Sequence, residues 1–190
     1  MRVLLINGTI VGEKTKVLLN EVKKQLIEYI PSHELQNLYL EDYQMEFADG
    51  RPKEAYNEDT QNLIEAIEEA DGYVIVSPIF QRSIPGVLKN MFDLISPKAM
   101  RYKPVAILGN GGTYQHHLVV EHQLKPILDY FRCLMTPNYI YTHTNHFSHQ
   151  NELIDEDILK RIQELAGVFH QYLKMSEDIK NGDDFSLTDY

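Results

Sequence analysis

Near its start the chain reads Val3-Leu4-Leu5-Ile6-Asn7-Gly8-Thr9, a continuous apolar run closed by an Asn-Gly turn signal. An apolar run without polar alternation is typical of a strand that is buried on both faces, as in a parallel sheet covered by helices. Residues 15–29 then place apolar side chains at helical spacing, and Pro31 ends that segment. The opening therefore predicts a buried strand followed by a helix.

The same alternation continues along the chain. Further apolar runs typical of strands lie at residues 35–40, 73–76, 105–108 and 134–141. Further segments with helical spacing lie at residues 57–70, 85–95, 117–131 and 155–175. Five strands alternating with five helices predict an α/β fold of the flavodoxin-like type, in which a five-stranded parallel sheet carries helices on both faces.

Two prolines predict irregularities in these elements. Pro126 predicts a kink or a late start of the fourth helix, and Pro137 predicts a sheet edge or a bulge in the fifth strand.

We expect one domain over residues 1–175 and an acidic, mobile tail over residues 176–190. Three residues of that tail could dock on a partner subunit: Phe185, Leu187 and Tyr190.

Composition excludes several classes of function. The 190 residues carry 18 basic and 28 acidic side chains, a net charge of −10, which argues against DNA, RNA and anionic membranes as partners. The single cysteine, Cys133, excludes an internal disulfide, a four-cysteine zinc site and a CxxC redox pair. Its place at the end of an apolar helix predicts a buried structural thiol. The first apolar run is too short for a signal peptide, so we expect a cytoplasmic protein.

The loops after strands one, three and four of such a sheet share one crevice at the carboxyl ends of the strands. The first of them, residues 7–15, joins a strand to a helix. The backbone N–H groups at that helix start, with the hydroxyls of Thr9 and Thr15 and the ammonium group of Lys14, predict a cradle for a phosphate.

The second and third loops suit a flat ring. Residues 77–90 contain a rigid turn with two prolines, which can present its backbone to a heterocycle while Phe80 supplies an apolar wall. Residues 109–114 contain adjacent glycines, which let the backbone approach a ligand closely. Together the loops predict a ligand with a phosphate at one end and a planar polar ring at the other, although each loop alone could also be a purely structural turn.

Two other sites are weaker alternatives. Gly8, Lys14 and Thr15 fall in register with the GxxxxGK[ST] loop of nucleotide triphosphatases, but Glu13 occupies the place of its second glycine. The third strand also ends in Val-Ser-Pro, without the aspartate that would help to hold magnesium. Histidines recur every three residues after the fifth strand and could converge on a metal ion, but hydrogen-bonded or solvated side chains are favoured: His143, His146 and His149.

These loops resemble those of the NADPH-dependent FMN reductase family, flavodoxin-like flavoproteins that include flavin, azo-dye, chromate and quinone reductases. The resemblance spans residues 1–175. Gly8-Thr9 and Gly111-Gly112-Thr113 match the family's phosphate loop and a glycine pair along the flavin ring. The most specific match is a proline-aromatic loop that leads into a PGxLKNxxD helix, here Ser77-Pro78-Ile79-Phe80, Ser83, Pro85-Gly86, Leu88-Lys89-Asn90 and Asp93.

The resemblance implies the residues of an FMN site. Val11 departs from the family, where many members have arginine, and Phe80 stands where tyrosine is commoner. The phosphate would be held by Thr9, Lys14 and Thr15. The flavin ring would be lined on one side by Pro78, Ile79, Phe80, Gln81, Arg82 and Ser83, and closed on the other by Gly111, Gly112, Thr113 and Tyr114.

The resemblance also implies the chemistry. NADPH or NADH would pass a hydride to the flavin, and a flavin, quinone, azo compound or similar acceptor would receive the electrons, with no catalytic acid or base and no metal. Arg82 could contact the dinucleotide or form a solvent-facing salt bridge, while His116 and Tyr114 could lie near the flavin pocket. A homodimer or homotetramer is expected. The alternatives are a flavodoxin-type electron carrier, which binds FMN without oxidising a nicotinamide, and a binding module without flavin.

Overall fold

The computed structural model describes residues 1–181, in which one parallel sheet lies between two layers of helices. The helices are α1 (Lys14–Leu26), α2 (Glu58–Glu69), α3 (Gly86–Leu94), α4 (Lys125–Tyr130) and α5 (Glu156–Asn181). The strands are β1 (Val3–Asn7), β2 (Leu35–Tyr39), β3 (Gly72–Pro78), β4 (Pro104–Asn110), β5 (Leu134–Met135) and β6 (Ile140–Thr142).

The strand order confirms the flavodoxin-like prediction. It runs β2-β1-β3-β4-β5, with β6 also paired to β4, and every pairing is parallel. The chain steps from β1 outward to β2 and then crosses back to β3, so the direction of winding reverses between β1 and β3. In open sheets of this kind the ligand crevice lies at the carboxyl ends of the strands beside that reversal.

Burial on both faces explains the unbroken apolar run of β1. Leu4 and Ile6 pack into the core beneath α2, α3 and α4, whereas Val3 and Leu5 pack into the core beneath α1 and α5. All four side chains are at most 1% exposed. Burying an aliphatic side chain of this size stabilises a fold by about 1.5–3 kcal/mol, so β1 anchors the sheet and fixes the position of the loop that follows it.

The predicted fifth strand is two short strands. β5 pairs with Pro104 and Val105, and β6 pairs with β4 from Leu108 onward. Between them Pro137 has no N–H to donate, and Asn138 adopts a positive φ of 53°. The irregularity expected at Pro137 is confirmed, but the expected count of five strands becomes six.

The two C-terminal helices differ from their predicted forms. A π-helical turn, Val120–Leu124, precedes α4, and Pro126 lies in the first turn of α4, where its missing N–H costs no helical hydrogen bond. This confirms the late start that Pro126 predicts. The predicted end of the last helix at residue 175 is wrong, because α5 continues to Asn181.

The extension of α5 is anchored to the rest of the domain. The Ser176 hydroxyl donates to the Tyr102 carbonyl at 2.8 Å, and Lys180 pairs with Asp71 at 3.0 Å. Residues 176–181 are therefore part of the domain, and the rest of the predicted tail, with its docking residues, lies outside the described residues.

Within residues 1–181, no helix is long and apolar enough to cross a membrane.

Candidate active site

The predicted loops meet at a cleft of about 310 Å³ at the carboxyl ends of the strands. Four of the predicted site residues line it, namely Lys14, Thr15, Pro78 and Phe80. The remaining predicted residues lie on the same three loops but do not form the wall of the cleft. The rest of the wall comes from Val11, Gly12, Glu13, Asn110 and Asn151.

One end of the cleft is built to receive an anion. Thr15 lies in the first turn of α1 and is 3% exposed, and its hydroxyl oxygen has no hydrogen-bond partner within residues 1–181. Leaving such a buried group unpaired costs about 1–3 kcal/mol. The first N–H groups of α1 also lack intrahelical acceptors, as at any helix start. These donors fit a phosphate, which would accept from both.

The charges at this end are arranged so that Lys14 remains available. Its ammonium nitrogen rests 5.3 Å from the centre of the Phe147 ring. The neighbouring cation, Lys16, instead pairs with Glu41 at 2.7 Å and with Glu13 at 3.8 Å. Glu13 lines the cleft, but its carboxylate is thus partly balanced by Lys16, which reduces its repulsion of an anion.

Thr9 and Gly12 shape the loop. The Thr9 hydroxyl accepts from the Val11 N–H at 3.2 Å and donates to the Val11 carbonyl at 3.0 Å, and the residue is fully buried. Gly12 has a φ of 97°, which a residue with a side chain rarely adopts. The Thr9 hydroxyl therefore holds the loop's own backbone here, and its role as a phosphate ligand stays a prediction.

Asn7, at the end of β1, is a polar residue that the sequence analysis did not single out. It is fully buried, its amide donates to the Thr9 carbonyl at 3.4 Å, and its side-chain oxygen has no partner in the described chain. A buried asparagine at the end of an otherwise apolar strand was the signal available for finding it. Its hydrogen bond to Thr9 connects the end of β1 to the loop at residues 7–15 and supports that loop from the sheet.

The second predicted loop, residues 77–90, is called the ring loop below and contains a tight turn at Phe80–Ser83. The backbone groups of Phe80 and Ser83 exchange two hydrogen bonds, at 2.9 and 2.8 Å. Gln81 and Arg82 between them have φ values of 45° and 62°. Two consecutive positive φ values define a turn of type I′, which favours Asn-Gly. Left-handed conformations at other residues cost on the order of 1 kcal/mol or more each, so other contacts must hold this turn.

The third loop is tied to both neighbouring strands. The Ile79 N–H donates to the Asn110 carbonyl at 2.8 Å, and the Asn110 amide donates to the Thr142 hydroxyl at 2.9 Å. Gly111 packs directly against Tyr141, whose hydroxyl donates to the Thr113 carbonyl at 2.7 Å. A side chain at Gly111 would collide with that hydroxyl. Tyr141 therefore requires glycine at this position, whether or not a ligand is bound.

An aromatic cluster extends this loop toward solvent. Tyr114 is 63% exposed and stacks on His117 with ring centres 4.5 Å apart, and Tyr141 and His143 approach the Tyr114 ring edge to face. Burial raises the pKa of Tyr141 to about 12, so its hydroxyl remains a donor at neutral pH. His116, expected near the pocket, lies in the helical turn of Tyr114 but outside the cleft wall.

The histidines after β6 pack on one another. The His143 and His146 rings lie 4.1 Å apart, and the His146 ring accepts from the His143 N–H at 3.2 Å. Burial, helped by His143, lowers the pKa of His146. Within residues 1–181 no group of three or more histidine, cysteine or acidic side chains could hold a metal ion. Cys133 is partly buried, and burial raises its pKa to about 12, so it remains a thiol at neutral pH; its structural role stays a prediction.

Comparison with known proteins decides the family. Residues 1–147 match the family model described as NADPH-dependent FMN reductase. The chain belongs to this family. The resemblance to this family, for which the proline-aromatic loop before α3 was the most specific sequence signal, is therefore confirmed. Membership makes the protein a flavin oxidoreductase whose cofactors are FMN and NAD(P)H.

One curated relative agrees with this assignment, and two solved structures share the fold. This chain is 51% identical over 166 residues to a protein of Geobacillus thermodenitrificans named NAD(P)H-dependent FAD/FMN reductase. The match covers 87% of this chain and 90% of that protein. In structure it is similar to FerB from Paracoccus denitrificans, called a flavoenzyme NAD(P)H:(acceptor) oxidoreductase, with a TM-score of 0.73, 20% identity and coverage of 92% and 98%. It also shares the fold of flavodoxin 1 from Bacillus cereus, with a TM-score of 0.63, 11% identity and coverage of 90% and 98%.

Proposed function

We propose that this flavin reductase binds FMN in the cleft and uses it to carry electrons from NADPH or NADH to a small acceptor such as a flavin, a quinone or an azo compound. The observation that carries the proposal is the Thr15 hydroxyl, which is buried at the start of α1 with no partner in residues 1–181. A phosphate bound there would accept from it and from the first N–H groups of α1.

Lys14 supplies the positive charge at the phosphate end. Its ammonium group rests on an aromatic face and has no carboxylate partner within residues 1–181, so it can turn toward a dianion without first breaking an ion pair to those residues. A charge-assisted hydrogen bond of this kind is about twice as strong as a neutral one. With a net charge of −10 on the chain, phosphate binding depends on such local donors rather than on a general attraction.

Pro78 and Phe80 form the apolar wall for the flavin ring, and the backbone of the turn at Phe80–Ser83 supplies polar groups beside it. Bound FMN supplies the redox chemistry, since it can accept a hydride and release electrons to a second substrate. The protein's part is to bind and orient the cofactor and to offer preorganised donors to the ring as it gains negative charge. No side chain is required to move a proton.

Arg82 is the proposed contact for the nicotinamide dinucleotide. It lies on the exposed tip of the ring loop, and its guanidinium forms no ion pair with any carboxylate in the described part of the chain. The solvent-facing salt bridge that was the alternative for Arg82 is therefore not formed within those residues. A dinucleotide phosphate is a suitable partner for a guanidinium group.

The aromatic groove beside α3 and α4 is the proposed contact between subunits of a homodimer or homotetramer. It has a volume of about 450 Å³ and includes Tyr130, which is 68% exposed, together with Ile127. Phe92 lies at its base, 3% exposed, and belongs to the core. Sedimentation of the wild type and of Tyr130→Glu would test this: a smaller species is expected for the variant if the groove is the interface.

The central experiment measures cofactor binding and turnover. Purified protein is titrated with FMN and with riboflavin, and NADPH and NADH oxidation is followed with and without FMN, then with flavin, quinone and azo acceptors. We expect tighter binding of FMN than of riboflavin and flavin-dependent oxidation of at least one nicotinamide. A protein that binds neither flavin would overturn the proposal, and one that binds FMN without oxidising either nicotinamide would indicate an electron carrier.

A further inference from the structure

Gln123 connects the π-helical turn to the tip of the ring loop. It lies within Val120–Leu124, which comes after the turn at Phe80–Ser83 in the chain and is separated from it by α3 and β4. Its side-chain amide donates to the Arg82 carbonyl at 3.1 Å, and its side-chain oxygen accepts a short hydrogen bond from the Ser83 hydroxyl. The Gln123 side chain is thus hydrogen-bonded to two consecutive residues of the loop.

The turn at Phe80–Ser83 has a conformation that its own sequence does not favour. Gln81 and Arg82 both have positive φ values, whereas the type I′ turn they form is normally made by Asn-Gly. The two hydrogen bonds from Gln123 hold the C-terminal half of this turn from outside. A π-helical turn contains one more residue than an α-helical one, and such turns are frequent at functional sites.

The conformation has a consequence for the cleft. Phe80 and Ser83 use their own backbone groups on each other, so the N–H groups of Gln81 and Arg82 at the tip are left with no acceptor among residues 1–181. Phe80 itself lines the cleft. The turn therefore places two consecutive backbone donors directly after the aromatic residue that lines the cleft.

We propose that Gln123 is a positioning residue for the flavin ring, which fixes the turn at Phe80–Ser83 in its left-handed form. This inference rests on the proposed function, because it assumes that the ring lies against this turn. The amide is suited to the task since it must donate to one atom and accept from another. A carboxylate can accept from Ser83 but cannot donate to the Arg82 carbonyl, and an aliphatic side chain can do neither.

The test compares three variants of the full chain, namely Gln123→Leu, Gln123→Glu and the control His122→Ala. His122 is an exposed neighbour in the same π-helical turn. Binding of FMN and of riboflavin is measured by quenching of flavin fluorescence, and the absorption spectrum of the bound flavin is recorded. Thermal unfolding without flavin checks that each variant folds.

We expect Gln123→Leu to raise the dissociation constants of both flavins by about tenfold, since two hydrogen bonds are lost. Gln123→Glu should have a smaller effect, and His122→Ala should have none. Because the loss concerns the ring, riboflavin should be affected as much as FMN, and the absorption spectrum should shift. Wild-type affinity for both flavins in Gln123→Leu would overturn the inference while leaving the proposed function intact.

A rescue variant separates positioning from direct contact. Glycine adopts positive φ without strain, so Gln81→Gly combined with Gln123→Leu should restore most of the lost affinity. Weak binding that persists in the double variant would overturn the positioning role and indicate that Gln123 touches the flavin itself. Failure of the wild-type protein to bind either flavin would overturn both this inference and the proposed function.

Discussion

The ammonium nitrogen of Lys14 lies 5.3 Å from the centre of the Phe147 ring. Phe147 is 7% exposed, and an isolated antiparallel β-bridge pairs it with Leu153 in the loop after β6. The first residue of α1 is therefore supported by a segment more than 130 residues away in sequence. The same loop contributes Asn151 to the cleft, so the end of the cleft beside α1 is lined from two sides.

Lys14→Glu should weaken FMN binding by at least about tenfold, equivalent to about 1.4 kcal/mol. The reason is the loss of a cation beside the phosphate and the gain of a like charge. Riboflavin, which has no phosphate, should bind Lys14→Glu as well as it binds the wild type. Lys24→Glu, the same change at the far end of α1, is the control. Equal affinity of wild type and Lys14→Glu for FMN would remove Lys14 from the phosphate site.

Thr15→Val should have opposite effects on the free and the flavin-bound protein. Without a ligand the Thr15 hydroxyl is buried with no partner in residues 1–181, so its replacement by a methyl group of similar shape should leave the melting temperature unchanged or raise it by about 2–4 °C. With FMN present the stabilisation by ligand should be smaller than in the wild type. Thr15→Ser, which keeps the hydroxyl, is the matched control. A clear drop in stability of the ligand-free Thr15→Val would contradict this interpretation.

The sequence predicts the loops of the site but not the residues that hold those loops in place. The fold rule that places a crevice at the carboxyl ends of the strands brought residues 7–15 and 77–90 together correctly, because strand order follows from alternation and handedness. Gln123 and Tyr141 were missed because their contacts with those loops depend on helix geometry and side-chain packing. The tight turn at Phe80–Ser83 was also not predictable, since neither of its central residues is typical of that conformation.

Gly111→Ala should destabilise the protein by about 1–3 kcal/mol through overpacking. A Cβ atom at this position collides with the Tyr141 hydroxyl, and Tyr141 is only 6% exposed. Tyr141→Phe removes that hydroxyl, so the double variant should recover part of the loss despite breaking the bond to Thr113. Urea unfolding of the four proteins measures this coupling. Strictly additive effects of the two substitutions would argue against the predicted collision.

Lys103 should make the stability rise with pH in the mildly alkaline range. Burial lowers the pKa of this side chain to about 8, from an ordinary value of 10.5. The unfolded chain then binds more protons than the folded one between these values, so the unfolding free energy increases as pH rises through this window. Urea unfolding at pH 7 and pH 9.5 should show the increase for the wild type relative to Lys103→Met. An equal change in both proteins would assign the effect to other groups.

Arg82→Met should change the use of the nicotinamide without changing the binding of the flavin. The Arg82 carbonyl is held by Gln123 and its side chain is exposed, so substitution removes the guanidinium while leaving the turn in place. Methionine keeps the length of the apolar stem. We expect KM for the preferred nicotinamide to rise by about tenfold, as for the loss of one charged hydrogen bond, with kcat and the FMN dissociation constant nearly constant. Arg132→Met is the control, because Arg132 is also exposed and also has a positive φ, 55° compared with 62° for Arg82. Arg132 precedes β5 and so lies at the amino ends of the strands, whereas Arg82 follows β3 at their carboxyl ends. A raised KM in both variants would reflect overall charge, and an unchanged KM in Arg82→Met would place the dinucleotide elsewhere.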